Sequence, residues 1–128
     1  MKFMLIMNSP LDGYETYLSW PKEVLEANTA FMVQFSRKLR ESGELVSTAG
    51  LASPREAKLV RAGADGKPIT DGVFPESKEF LAGYWIVDVE SEERAYEIAA
   101  DASKAPGIGE KPFEIEVRAI LGSHKDLF

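Results

Sequence analysis

The sequence contains no cysteine and a single histidine, His124. The first absence excludes disulfides, thiolate nucleophiles, iron–sulfur clusters and cysteine-ligated zinc. With one imidazole there is no ligand set for zinc or iron, and a serine–histidine–acid triad could form only if the C-terminal tail docked on the body. The carboxylates are scattered, without the spacing of a calcium loop. Gly63, Gly66 and Gly72 fit neither G-x-G-x-x-G nor the P-loop pattern. No metal and no cofactor is therefore expected. Fifteen basic residues stand against 21 acidic ones, a formal net charge of −6, so the electrostatic footprint of a nucleic-acid-binding protein is missing. Long apolar runs are missing too. The stretch Phe3 to Met7 is too short for a signal-peptide core or a membrane span, which predicts a cytoplasmic protein with no membrane partner.

What is present is an ordinary globular composition. Apolar residues make up 45% of the 128 residues and charged ones 28%, enough for one domain over residues 1–128 with its own core. Phe3 to Asn8 reads as a strand with Phe3, Leu5 and Met7 on one face and Met4 and Ile6 on the other, so both faces ask for burial. A polar and aromatic loop follows, Ser9 to Trp20. Pro21 then opens a long helix reaching Ser42, in which Val24, Leu25, Asn28, Phe31, Met32, Phe35 and Leu39 share one face. Gly43 is placed to end it.

Glu44 to Ala52 and Ala57 to Ala62 read as the next strands. Ala64-Asp65-Gly66-Lys67 is a hairpin signal, with Ile69-Thr70 beginning the return arm. Asp71 to Glu79 carries too many breakers for a strand interior and reads as a compact turn. Leu81 to Val89 is the clearest strand, with Trp85, Val87 and Val89 on one face and Tyr84, Ile86 and Asp88 on the other. Ser91 is a fitting N-cap for a short helix whose apolar side is Ala95, Ile98, Ala99 and Ala102, and Ala105-Pro106-Gly107 stops it. Phe113 to Leu121 alternates as a last strand.

The order is β-α-β, a hairpin insert, then β-α-β. That order predicts an α+β, ferredoxin-like fold, an antiparallel sheet with two helices on one face. Because the first strand is apolar on both sides, a second copy is expected to cover the other face, giving a homodimeric α+β barrel.

Asp71-Gly72-Val73-Phe74-Pro75-Glu76-Ser77-Lys78-Glu79 resembles the D-G-P-F-x-E-[TS]-K-E signature of YCII-related proteins of the DGPF type. The resemblance continues through Leu81 to Val87, Ala95 and Ile115-Glu116-Val117-Arg118, and so covers most of the chain. It implies a dimeric α+β barrel of unestablished activity, and an association with sigma-type transcription proteins. Val73 stands where the signature has proline, and Ala119 where many members have one. In the wider group a histidine of the first helix and a nearby aspartate form the proposed catalytic pair. Pro21 to Ser42 holds no histidine, and Phe31 and Met32 occupy that region, so the pair does not carry over.

The candidate site residues centre on the polar turn. Asp71 would be a general base if buried, Lys78 an anion clamp, and Phe74 and Glu79 would line a ligand. The same residues also serve a purely structural turn, with Asp71 bonding backbone and Lys78–Glu79 solvated. Arg118, on the charged face of the last strand, would bind a carboxylate or pair with Asp71, Glu79 or Glu116. Tyr84 would add a hydroxyl or pack at the subunit interface. His124 would supply an acid–base group if the tail folded over a pocket, and otherwise be solvated. Tyr17, with Tyr14 and Trp20, would line the mouth of a pocket for a flat or apolar ligand, or fasten the loop to the helix. Two functions remain open on these residues. One is a small-molecule pocket with cofactor-independent acid–base chemistry of the lyase or isomerase kind on a small organic, anionic compound. The other is a non-catalytic ligand- or protein-binding regulatory module.

Overall fold

The structure, a computed structural model, describes residues 1–72, 79–109 and 112–122. Its main sheet has four strands: β1 (Lys2–Ser9), β2 (Leu45–Gly50), β5 (Phe80–Asp88) and β6 (Glu116–Ala119), in the order β2-β5-β1-β6. All three pairings are antiparallel, with β1 at the centre between β5 and β6. A separate two-stranded ribbon is formed by β3 (Lys58–Ala62) and β4 (Pro68–Gly72). Helices α1 (Gly13–Leu18), α2 (Lys22–Glu41) and α3 (Glu92–Ala102) complete the chain, together with a 3₁₀ turn at Pro54–Glu56. This is the α+β, ferredoxin-like arrangement expected from the strand and helix order.

The helix-facing side of the sheet is the core. Phe3 and Leu5 from β1 and Trp85 and Val87 from β5 are buried against Phe35 and Leu39 of α2 and Ala95, Ile98, Ala99 and Ala102 of α3. Phe35 meets Trp85 edge-on, with ring centroids 5.3 Å apart, and stacks on Phe31 at 6.0 Å. Pro21 precedes α2 and its carbonyl accepts from Val24 and Leu25. Gly43 closes the helix at φ +78°, a left-handed value that suits glycine. Ser91 caps α3, its hydroxyl accepting from the Arg94 backbone N–H at 3.1 Å.

Three segments differ from the sequence reading. The loop over residues 9–20 contains α1, a helix of 6 residues. It is too short for apolar periodicity to declare it, and its breakers Pro10 and Gly13 fall at its entrance, where a helix tolerates them. Asp71 and Gly72 belong to β4, paired with Leu59 and Lys58, because an exposed ribbon end accepts a glycine that a buried strand would not. The last strand is shorter than its alternating pattern. Only Glu116–Ala119 pairs with β1, and Phe113 instead turns its ring onto Trp20 while its backbone N–H donates to Ser103.

The two halves of the fold are tied by Glu44, at the start of β2, and Arg94 in α3. The guanidinium grips the carboxylate through two hydrogen bonds, Nε to Oε2 at 2.8 Å and Nη2 to Oε1 at 2.9 Å, and reaches Glu97 at 3.1 Å. This bidentate hydrogen bonding, helped by the Ser42 hydroxyl, holds the Glu44 carboxyl below its ordinary range against the opposing effect of burial. Because the folded pKa is the depressed one, the stabilisation is present above the unfolded value of about 4.3 and fades as the pH falls through the folded one. Glu44→Gln should cost about 1 kcal/mol near neutral pH, a figure reduced for the partial exposure of Arg94. Chemical denaturation at stepped pH should show the gap to the native chain closing in acid.

Gly83 gives a second check, on the β2–β5 pair. A Cβ there would lie 3.1 Å from the Ala49 carbonyl oxygen, a backbone atom that cannot swing aside, whereas one at its partner Gly50 would meet nothing. Gly83→Ala should therefore lower the melting temperature despite the entropic gain of losing a glycine, and Gly50→Ala should leave it level or raise it.

Candidate functional site

β1 keeps register with β5 until Met7, where the pairing shifts by a bulge before Asn8 and Ser9. On the other side of β5, β2 ends at Gly50. Where the sheet loosens, α1 and the first turns of α2 lie over it, and a cavity of about 320 Å³ remains between them. That is at the small end of sites for organic ligands. The sheet contributes Met7, Asn8 and Gly50. Tyr14 and Tyr17 come from α1, Trp20 from the junction, Asn28 and Met32 from α2, and Phe113 from the segment before β6.

The aromatic wall is continuous. Tyr17 and Trp20 have ring centroids 5.2 Å apart, and Trp20 and Phe113 are 6.4 Å apart with planes inclined by 31°. Gly107 makes that wall possible, since a Cβ on it would sit 2.7 Å from Phe113 Cζ and 3.2 Å from Trp20 Cη2. Met7 and Met32 also pack against the main core, so the cavity is the unfilled end of the hydrophobic layer. Arg55 Nε meets Glu15 Oε1 at 3.0 Å, an exposed pair that joins α1 to the turn after β2.

Asn28 is the buried polar side chain on this surface. It is only 6% exposed, and its Nδ2 donates to the Pro106 carbonyl at 2.8 Å. The helical spacing of residues 24–39 puts Asn28 on the apolar side of α2, and that misplacement of a carboxamide was the signal available in the sequence. Its partner Pro106 lies 78 residues away in the chain, which no local pattern reveals.

The expected site residues fall in separate places. Tyr17 lines the cavity. Tyr84 is half-buried on the opposite, uncovered face of the sheet, beside Ile6 and Ala49. Arg118 is exposed on the same face, next to Met4, and its Nε lies 3.7 Å from Glu116 Oε2. Asp71 is exposed on the ribbon, opposite Leu59. Glu79 is exposed and borders a neighbouring depression with Glu114 and Glu116. Phe74, Lys78 and His124 lie outside the described residues. Among the described residues no hydrogen bond or ion pair joins Asp71, Tyr84 and Arg118, and no group of acidic and histidine side chains has the geometry of a metal site. No described helix is long and apolar enough to cross a membrane.

The comparisons with known proteins agree with this architecture. The YCII-related domain family matches over residues 1–111. An uncharacterised protein of Rhizobium meliloti is 33% identical over 87 residues, which cover 68% of this chain and 70% of that protein. The chain, matched along most of its length and carrying the predicted βαβ order, belongs to the YCII-related family.

Proposed function

We propose that the chain is a small-molecule-binding protein whose site is the aromatic cavity between α1, α2 and the loosened end of the sheet. The observation that carries this reading is the cavity itself: four aromatic side chains, two methionines and one buried carboxamide around an unfilled volume of about 320 Å³. Such a surface, largely apolar with few polar side chains and one of them buried and fixed, is what an organic ligand site requires. Acid–base catalysis draws less support, because Asp71, Tyr84 and Arg118 stand on the ribbon and on the far face of the sheet. The signature-like segment at residues 71–79, which joins β4 to β5, supports the DGPF subtype.

A fragment library of mixed chemistry, read by heteronuclear NMR, tests the cavity. Binding should move the Trp20 indole and Asn28 side-chain signals together. Trp20→Ala should weaken any saturable hit tenfold or more while the Trp85-centred core still melts cooperatively. Hits that map only elsewhere, or no hits, would overturn the reading.

The second part of the proposal concerns assembly. On the face away from the helices, two rows cross the sheet in register: Arg118, Met4, Ile86 and Ser47, and Glu116, Ile6, Tyr84 and Ala49. The middle of this face is apolar, its side chains only half-buried, and charge sits on the β6 edge. A second copy laid on it would bury that centre and keep the charged edge wet, the anatomy of a stable isologous interface. Light scattering should give twice the 14.2 kDa chain mass, and Ile86→Glu should give the monomer with its fold intact. A native chain that is monomeric would assign the face to a different protein, the regulatory-partner reading.

A further inference from the structure

We propose that the cavity selects an uncharged, planar aromatic ligand carrying one hydrogen-bond donor, N–H or O–H, which the Asn28 carboxamide oxygen receives. This inference rests on the cavity being the binding site and adds what it accepts.

Charge is the first constraint. None of the described residues lining the cavity is an aspartate, glutamate, lysine, arginine or histidine. An ionised ligand would surrender its hydration there without meeting a counter-charge, a loss that a neutral ligand avoids. Shape is the second. The Tyr17, Trp20 and Phe113 rings present faces and edges to one volume, and such surfaces favour a flat π-system in stacked or edge contact. Met7 and Met32 add thioethers that adapt to a ring.

Asn8 and Ser9 also line the cavity, but Asn28 is its one buried polar side chain among the described residues, and this is the third constraint, which fixes the sign of the hydrogen bond. A proline has no backbone N–H, and its carbonyl can only accept, so the contact at 2.8 Å orients the Asn28 amide with Nδ2 toward Pro106. The oxygen is thereby turned to the other side. No buried side-chain nitrogen or oxygen among the described residues lacks a partner, yet this oxygen accepts from none of them. Asn28 lines the cavity, so the oxygen is assigned to the cavity wall, as an acceptor on a buried side chain that cannot flip without breaking its bond to Pro106. A donor on the ligand satisfies it, whereas a ligand offering only acceptors would face it unpaired.

Calorimetric titration of the full chain with four matched probes tests this. Indole carries the ring and the donor, benzofuran the ring alone, indole-3-carboxylate adds a charge, and cyclohexanol has a donor on a non-aromatic ring. Indole should bind roughly tenfold tighter than benzofuran, the worth of one buried hydrogen bond, and both should outbind the carboxylate and the alcohol. In Asn28→Leu the indole affinity should fall to that of benzofuran. Benzofuran should bind the variant at least as tightly as the native chain, since it no longer leaves an acceptor unpaired, and that binding certifies that the variant cavity is intact. Should the variant fail to fold, the ratio in the native chain still decides. Equal binding of indole and benzofuran, or discrimination that survives Asn28→Leu, would overturn the donor assignment and leave the cavity as the site. Preference for cyclohexanol or the carboxylate would overturn the ligand class alone. Binding by none of the four, with fragments of other chemistry still seated at Trp20, would do the same; binding by nothing at all would remove the cavity reading as well.

Discussion

β1 is apolar on both faces and is paired on both edges, and most of the molecule follows from where that strand sits. Phe3 and Leu5 point to the helices and are closed over by Phe35, Leu39 and Ile98, which fixes α2 and α3 on one side. Met4 and Ile6 point the other way and stay half-open in the single chain. A sheet with one wet face normally alternates apolar and polar residues along each strand. Here the alternation is suspended at the centre of the sheet and restored at its margins, in Glu116 and Arg118 of β6 and in the Lys2–Asp88 pair at the ends of β1 and β5. The strand thus carries a second apolar face that the chain itself leaves half-open.

The same strand generates the cavity. As long as β1 and β5 remain in register the helices can pack flat on them. Past Met7 the bulge turns the strand end out of that register, and the helix layer no longer has a regular surface to meet. The gap is lined by aromatic side chains on the connection into α2, which span the distance without filling it. Core and cavity are therefore one hydrophobic layer. Met7 and Met32 belong to both, and a ligand would complete packing that the chain leaves unfinished.

Much of this was legible in the sequence because the signals were long or local. Twenty residues of helical periodicity marked α2, unbroken alternation marked β5, and Ser91 marked the start of α3 through a cap that needs only the adjacent turn. What escaped depended on distance. A helix as short as α1 has no periodicity to show. The extent of β6 follows from Phe113, which turns to Trp20 and Ser103 instead of continuing along the β1 edge. In the site, Tyr17 and Trp20 declared themselves as a cluster of rings beside a helix start. Asn28 sat among apolar neighbours as a residue out of place, and its role became visible only when the stop after α3 brought the Pro106 carbonyl to it.

The described charged side chains stand apart from the cavity. A catalytic acid or base needs an environment that shifts its ionisation, placed within reach of the substrate. The displaced groups among the described residues are Glu44 and Arg94, which perturb one another, and Tyr96, held up by its bond to Glu92; none of them lines the cavity. The carboxylates, the arginine and the tyrosine that looked chemically able are divided between an exposed ribbon and the face away from the helices. Where a proposed catalytic histidine of the wider group would belong, this helix has none, and the buried polar side chain it does bring to the cavity is an amide. An amide does not exchange a proton near neutral pH, but it can read one, by holding an acceptor still in an apolar surround where an unpaired donor or acceptor is costly. In this chain the long helix brings to the cavity a buried carboxamide, Asn28.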